Sequence, residues 1–205
     1  MIYDITPPIS AALAVWPGDT PPTREVLLDM REGDDLTLST LRATVHLGAH
    51  ADAPSHYGPG AASIEAALLQ RYLGPCRVVH VAVDRGSCLT ASQLSGRIDT
   101  ERLLIATGTF PDPAHFNEDF AALEPDLVDH LAAGGVKLVG VDTPSVDLFF
   151  AQDLPVHRRF LAHDMTILEG LMLSGVPEGE YELIALPLPL VGFDASPVRA
   201  VLRSL

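Results

Sequence analysis

Apolar and polar positions along the 205-residue chain alternate between strand-like and helix-like segments. Short runs rich in branched apolar residues are typical of strands, and they predict strands over residues 2–5, 36–45, 77–83, 102–107, 136–141 and 180–186. Helical spacing between cap and stop signals predicts helices over residues 63–74, 90–94 and 124–133, and residues 198–203 are compatible with a last strand or a closing helix. Strands that alternate with helices predict an α/β fold.

The length favours one domain spanning residues 1–205, because no repeat, linker or low-complexity tract divides the chain. Its formal net charge of −14 excludes nucleic acid and anionic membrane surfaces as expected partners, since both would repel it. A mean hydropathy of +0.23 is high for a chain with 20% charged residues. We therefore expect a partner subunit to cover some of the apolar surface.

Cysteine usage and the start of the chain bear on the compartment. Cys76 and Cys88 have no metal-binding spacing, which predicts free thiols in a reducing environment. The first residues do not resemble a signal peptide, and no apolar run approaches the roughly 20 residues that span a bilayer. We expect a soluble, cytoplasmic protein.

Three of the eight histidines and an aspartate lie within residues 46–56. In a straight strand His46 and His50 would lie about 13 Å apart at roughly 3.3 Å per residue, too far for one ion whose bonds to nitrogen are about 2.0–2.1 Å. Gly48 permits a bend. The pattern predicts a strand that ends in a compact turn, where His46, His50 and Asp52 converge on a metal. His56 follows beyond a proline and is interpreted as a general acid/base beside the metal.

Two other positions allow two interpretations each. Glu169 stands inside an apolar run, where an ionised carboxylate is costly unless it is paired or metal-bound. Its spacing fits an ion pair with Arg158 or Arg159 as well as it fits a metal ligand. Trp16, the only tryptophan, precedes a Pro-Gly turn; core packing is the usual role, and the wall of a substrate pocket is the alternative.

The segment His46-Leu-Gly-Ala-His50-Ala-Asp52-Ala-Pro-Ser-His56 resembles the His-x-Gly-x-His-x-Asp-x-Pro-x-His signature of the cyclase-like metal-dependent hydrolases. Within that family the bacterial kynurenine formamidases are the most similar, on the strength of residues 16–19, 72–77 and 194–199. The resemblance spans nearly the whole chain. Leu47 departs from the threonine that is frequent in the family, at a position that is not a ligand.

The resemblance implies a swivelling β/β/α fold with a mixed sheet, assembled as a homodimer or a higher oligomer. It implies two zinc ions, one held by His46, His50 and Asp52. The second would be held by Asp52, His157 and Glu169, with Asp52 bridging the pair. Manganese or cobalt would also suit these ligands. The family spacing of twelve positions before the glutamate selects His157 rather than His163.

The activity that the resemblance implies is hydrolysis of N-formyl-L-kynurenine to kynurenine and formate. His56 would carry a proton to the leaving amine, and Trp16 would contact the aromatic ring of the substrate. A related hydrolase that opens the lactam of isatin is an alternative. So is a non-catalytic, metal-stabilised dimer that binds an aromatic ligand and has no need of His56.

Overall fold

Thirteen strands organise the computed structural model, which describes residues 1–94 and 98–205. In chain order they are β1 (Ile2–Asp4), β2 (Thr23–Leu28), β3 (Leu38–Arg42), β4 (His50–Asp52), β5 (Leu73–His80), β6 (Cys88–Leu89), β7 (Arg102–Ala106), β8 (Ala122–Leu123), β9 (Leu138–Val141), β10 (Thr166–Glu169), β11 (Gly179–Ile184), β12 (Ala195–Pro197) and β13 (Val201–Ser204). Nine of these form one sheet in the order β1-β13-β11-β5-β7-β9-β10-β4-β12.

The centre of this sheet is parallel and its two ends are antiparallel. Strands β5, β7, β9 and β10 run parallel to one another, whereas β11 pairs antiparallel with β5 and β4 pairs antiparallel with β10. Two smaller sheets remain, the antiparallel hairpin β2–β3 and the parallel pair β6–β8. The α/β class with a mixed sheet is therefore confirmed.

Two α-helices, α1 (Pro125–Ala133) and α2 (Pro155–Ala162), pack against each other. Short 3-10 turns occur at Met30–Glu32, Pro54–His56, Ile64–Ala66, Leu69–Arg71 and Ala91–Gln93. Among the described residues, no helix has the length and apolar character needed to cross a membrane.

Side chains of the central strands alternate between two hydrophobic cores. Val79 and Leu103 face the core that includes helix residues Leu127 and Phe160. Their neighbours, such as Val78 and Leu104, face the second core, where antiparallel strands and loops cover the other side of the sheet. Burial on both faces explains why these strands are continuous apolar runs.

The helix predicted over residues 63–74 is wrong. The structure forms two 3-10 turns there and then enters β5 at Leu73. The reason is tertiary. The buried Arg102 guanidinium donates to the carbonyl oxygens of Gln70, Arg71 and Pro75, and these hydrogen bonds stabilise the non-helical conformation of the segment. Gly74, expected as a helix stop, instead lies in the strand with φ 129 and packs against Arg102.

The predicted strand over residues 36–45 ends earlier, at Arg42, and the compact turn after it is only partly correct. His50 and Asp52 lie on β4 rather than in a turn. The helix α1 and the other predicted strands are confirmed with shifted boundaries, and the short helix predicted over residues 90–94 is a 3-10 turn at Ala91–Gln93. Residues 198–203 contribute a strand, β13. Cys76 and Cys88 are free thiols, as predicted.

A close approach of two glycines holds β4 against β10. Gly170 has φ 66, and a Cβ built on it would lie 2.2 Å from the carbonyl oxygen of Gly48. Gly48 itself has φ 54 and lies under the ring of Pro7. Because no side chain fits between these backbones, Gly170 sets the spacing between the end of β10 and the segment before β4.

We expect Gly170→Ala to lower the free energy of unfolding by about 2–4 kcal/mol, from overpacking and left-handed strain together. Gly60→Ala is the matched control, because Gly60 also has a positive φ, 76, but has open space around it. The control should cost only about 1–2 kcal/mol. Urea unfolding followed by circular dichroism measures both, and equal losses would contradict the importance of the Gly48–Gly170 contact.

Candidate metal centre

Strand β4 presents two candidate ligands on one face. His50 and Asp52 are two residues apart, so their side chains point to the same side of the strand. The antiparallel register places Glu169 of β10 directly opposite His50. The result is a short contact, with His50 Nε2 3.3 Å from Glu169 Oε2 and 3.5 Å from Asp52 Oδ1.

Two more imidazoles reach the same carboxylate from other elements. His46, just before the bend at Gly48, places Nδ1 3.2 Å from Asp52 Oδ1. His157, in the first turn of α2, places Nε2 3.4 Å from Asp52 Oδ2 and 3.6 Å from Glu169 Oε1. The structure therefore brings all five predicted ligands together around Asp52. Their role as ligands stays a prediction.

Hydrogen bonds behind the rings decide which nitrogen each histidine presents. His50 Nδ1 lies 2.8 Å from the Gly48 carbonyl oxygen, which can only accept, so Nδ1 carries the proton and Nε2 is left with its lone pair. His157 Nδ1 lies 2.6 Å from Asp147 Oδ2, which orients Nε2 toward Asp52 in the same way. An anchored N–H with a free nitrogen opposite is the usual arrangement of metal-binding histidines.

Asp147 also anchors the start of α2. Its carboxylate accepts from the backbone amides of Val156 and His157 at 3.0 and 3.1 Å. The residue at the N-cap position, Leu154, makes no side-chain cap and has φ 45. Asp147 therefore supplies, from a distant loop, the cap that the helix lacks, and holds the His157 ring with the same carboxylate.

Three buried polar atoms in this cluster lack a hydrogen-bond partner: His50 Nε2 and both carboxylate oxygens of Asp52. Their contacts with neighbouring groups are 3.2–3.5 Å long and are not oriented as hydrogen bonds. Buried acceptors without donors are costly, and a cation would satisfy all three at once. The donor set of imidazole nitrogens and carboxylate oxygens fits zinc and its first-row neighbours.

The pKa values show the same negative potential. Burial opposes charge on His46, yet the carboxylates of Asp52 and Asp194 raise its pKa to about 9. Burial is likewise outweighed at His157, where Asp147 and Asp52 raise the pKa to about 10. Burial opposes ionisation of Asp52, but the imidazoles of His157 and His46 hold its pKa well below the usual range. Positive charge is favoured here, whether it is carried by protons or by metal.

Among the described residues, two sets of three could each hold a metal ion, because the ligand atoms within each set lie within 4.8 Å of one another. One set is His46, Asp52 and His56, and the other is His50, Asp52 and Glu169. Asp52 belongs to both sets, as expected of a bridging ligand. The sets differ from the predicted partition, because His56 joins His46 and because His50 lies beside Glu169. How the ligands divide between two ions therefore stays a prediction.

His56 lies at the edge of the cluster. Its ring centroid is 4.2 Å from that of His46, and its Nδ1 is 3.5 Å from Asp194 Oδ2. The same Asp194 oxygen lies 3.0 Å from His46 Nε2, so one carboxylate contacts both rings. Burial lowers the pKa of His56, which keeps the ring neutral and able to accept a proton at pH 7.

The ion pair considered for Glu169 does not form. Arg158 pairs with Asp153 and Arg159 with Asp129. Glu169 instead accepts from the Val146 amide at 2.8 Å and faces the histidines. His163, which the family spacing passed over, lies outside the cluster and contacts Asp129 at 2.6 Å.

A cavity of about 530 Å³ opens beside the cluster. Its lining includes the polar residues His46, His50, His56, His157 and Glu169. The apolar residues that line it include Trp16, Phe110, Phe116, Leu154 and Met172. Trp16 stacks on Phe149 with ring centroids 4.9 Å apart, and it is 37% exposed. Trp16 therefore lines the cavity rather than filling the core.

Asp147 and Asp194 are the site residues to which sequence reasoning gave no role. Asp147 lies in a loop where a buried carboxylate looks like an ordinary turn residue, and its partner His157 is ten residues away. Asp194 belongs to a segment that carried the family resemblance but is 148 residues from His46. Only the pairing of β12 with β4 brings it beside the cluster.

Comparison with known proteins agrees with this geometry. Residues 3–148 match the family model for putative cyclases. A structure described as a potential metal-dependent hydrolase with cyclase activity is 29% identical, with a TM-score of 0.83 over 98% of this chain and 96% of that one. A metal-dependent hydrolase from Bacillus stearothermophilus, described as predicted, is also 29% identical, with a TM-score of 0.82 over 98% and 97%.

An isatin hydrolase from Labrenzia aggregata, bound to benzyl benzoate, has the same fold. Its TM-score is 0.84 over 98% of this chain and 93% of that one. At 20% identity this likeness shows the fold alone. The cyclase-like architecture expected from the sequence is thereby confirmed.

We expect Asp147→Asn to weaken metal binding by about 10- to 100-fold, because the amide cannot supply the negative charge that orients His157. Competition with a chromophoric chelator measures the affinity, and circular dichroism checks that the fold is kept. Asp153→Asn is the control, since Asp153 is exposed, lies close in sequence and pairs only with Arg158 among the contacts described. Equal affinities in the two variants would contradict a role of Asp147 in holding the metal ligand.

Proposed function

This chain belongs to the family of putative cyclases, and on that premise we propose that it is a metal-dependent hydrolase that converts N-formyl-L-kynurenine and water into L-kynurenine and formate. The observation that carries the proposal is the buried carboxylate of Asp52, whose two oxygens lack hydrogen bonds and face imidazoles from three separate elements. The aromatic side of the adjoining cavity suits an aryl amide.

His46, His50, Asp52, His157 and Glu169 would hold the metal, with zinc the first candidate and manganese or cobalt as alternatives. A metal bound there would lower the pKa of a water ligand and polarise a carbonyl oxygen. Two ions per subunit agree with the position of Asp52 in both candidate ligand sets. Asp147 and Gly48 hold the rings of His157 and His50 so that little rearrangement is needed on binding.

His56 is the proposed general acid/base. Partial burial lowers the pKa of its ring and leaves it neutral, so it can take a proton from the attacking water. It then returns the proton to the aryl nitrogen as the carbon–nitrogen bond breaks, because an arylamide anion is a poor leaving group. Asp194 Oδ2 lies 3.5 Å from His56 Nδ1, so Nε2 is the nitrogen proposed for the transfer.

Trp16 is the proposed contact for the substrate ring. One face of the indole is taken by Phe149, and the residue also lines the cavity. An aromatic ring packed against it would bury apolar surface and gain offset or edge contacts. This contact contributes binding more than rate.

A second candidate reaction is opening of the isatin lactam, another aryl amide. The structural likeness to isatin hydrolases supports it, and the metal cluster does not distinguish the two reactions. A non-catalytic dimer that binds an aromatic ligand is a third possibility, and it would leave His56 without a function.

The decisive experiment is turnover of N-formyl-L-kynurenine by zinc-loaded protein, followed by kynurenine absorbance, with isatin assayed in parallel. We expect turnover of the formamide that a chelator abolishes and added metal restores. In His56→Ala the metal content should be unchanged, while kcat falls by about 100-fold or more. Bound metal without formamide turnover would discard the substrate, and full activity of the variant would exclude His56 as the acid/base.

We also propose that the protein acts in the cytoplasm, as expected from the sequence. The free thiols of Cys76 and Cys88 support this, since a reducing compartment keeps such thiols unpaired. A fusion to a fluorescent protein, localised in living cells, tests it.

A homodimer is the proposed assembly, and the hairpin β2–β3 supports it. Every residue of the two strands is exposed, including Leu28, Leu38 and Leu41. A two-stranded hairpin alone is at best marginally stable in water. A second copy of the chain is always present in equal amount, so it is the proposed cover for this surface.

Light scattering after size exclusion should give twice the mass of one chain for the wild type. A Leu28→Glu, Leu38→Glu variant places two charges on this surface and should shift the equilibrium toward monomer by at least about 100-fold. Leu205→Glu, at the exposed C-terminus, is the control. A hairpin variant that stays fully dimeric would place the interface elsewhere.

A further inference from the structure

Acidic and basic side chains are unevenly represented in the lining of the cavity beside the metal cluster. Among the described residues that line it, none is lysine or arginine. The two arginines that follow His157 in the sequence form ion pairs with other residues, Arg158 with Asp153 and Arg159 with Asp129. Within one subunit, the charged and titratable groups that the described residues present to the cavity are therefore imidazoles and carboxylates.

This set of side chains limits which charged groups the non-reacting end of a substrate can carry. A carboxylate held inside the cavity would lose water without gaining a cationic partner, and burial of an unpaired charge is strongly unfavourable. The overall charge of −14 adds to the repulsion. A metal at the cluster would not relieve this for a carboxylate that is remote from the reacting formamide, as it is in N-formyl-L-kynurenine.

Two acidic side chains line the cavity outside the predicted ligands, and only one is available. Asp142 is buried and accepts from the amides of Thr107 and Gly108 and from the Thr107 hydroxyl. Asp19 is exposed, and one of its oxygens accepts from the Thr20 amide at 2.6 Å. The other carboxylate oxygen of Asp19 has no hydrogen bond to the chain among the contacts described.

We propose that the cavity recognises the aryl formamide itself and excludes anionic substituents, so that neutral or amine-bearing aryl formamides are its substrates and Asp19 receives the amine. The inference rests on the proposed function and narrows it. For N-formyl-L-kynurenine it means that the ammonium approaches Asp19 while the carboxylate stays in solvent. The amino-acid end then contributes little to recognition.

Three formamides test this on the zinc-loaded protein, each rate being divided by the uncatalysed rate of the same compound. 2-Formamidoacetophenone keeps the ring, ketone and formamide of N-formyl-L-kynurenine but lacks the amino acid. Its kcat/KM should stay within about 10-fold, since only an exposed ion pair is lost. 4-Formamidobenzoate puts a carboxylate on the ring at the position furthest from the formamide, and its kcat/KM should fall by about 100-fold or more.

Asp19→Asn separates the role of Asp19 from the general repulsion. It should lower kcat/KM for N-formyl-L-kynurenine by roughly 2- to 5-fold, as expected for an exposed ion pair, and leave 2-formamidoacetophenone unchanged. Asp84→Asn removes the same charge from an exposed position outside the cavity and should change neither.

The outcomes are distinguishable. Turnover of N-formyl-L-kynurenine with a loss beyond 100-fold for 2-formamidoacetophenone would overturn the inference, because the carboxylate would then have a partner. Equal turnover of 4-formamidobenzoate would also overturn it. If isatin but no formamide is hydrolysed, the proposed substrate fails, and the same comparison is made between isatin and isatin-5-sulfonate. Hydrolysis of neither class would reject both proposals.

Discussion

The buried carboxylate of Asp52 is the constraint on which the rest of this structure depends. An ionised carboxylate inside a protein is tolerated only where positive charge or donors surround it. Here three imidazoles approach it from a loop, a strand and a helix, and Glu169 adds a second negative charge nearby. The cluster is therefore most stable with cations at its centre, which links the folding of this region to metal binding.

The backbone around the cluster is built for close approach. The carbonyl oxygen of Gly48 accepts a hydrogen bond from Nδ1–H of the His50 ring and also lies under Gly170, where no side chain fits. The contact that sets the spacing between two segments thus also orients a candidate ligand. Asp147 combines two tasks in the same way, because it caps α2 and holds His157. Such double use leaves little freedom for the ligands to move.

Different residues of the cavity would carry out the reaction and recognise the substrate. Its polar side carries the groups that would hold a metal and move a proton, an arrangement suited to the hydrolysis of many amides. Its aromatic lining residues include Trp16, which stacks on Phe149. The described lining residues include no lysine or arginine, and both features would limit which amides bind.

Local sequence determined the candidate ligands and much of the fold class. His46, Gly48, His50 and Asp52 lie close enough along the chain that one bend brings them together, and helix α1 is bounded by signals within its own sequence. Tertiary structure decided the rest. Residues 63–74 have helical spacing, but Arg102 binds their carbonyl oxygens and the sheet takes Leu73. Glu169 could have paired with an arginine until strand register placed it opposite His50. Asp147 and Asp194 gained their partners only through contacts distant in sequence, because the geometry of hydrogen bonds and strand pairing is fixed in space and not by spacing along the chain.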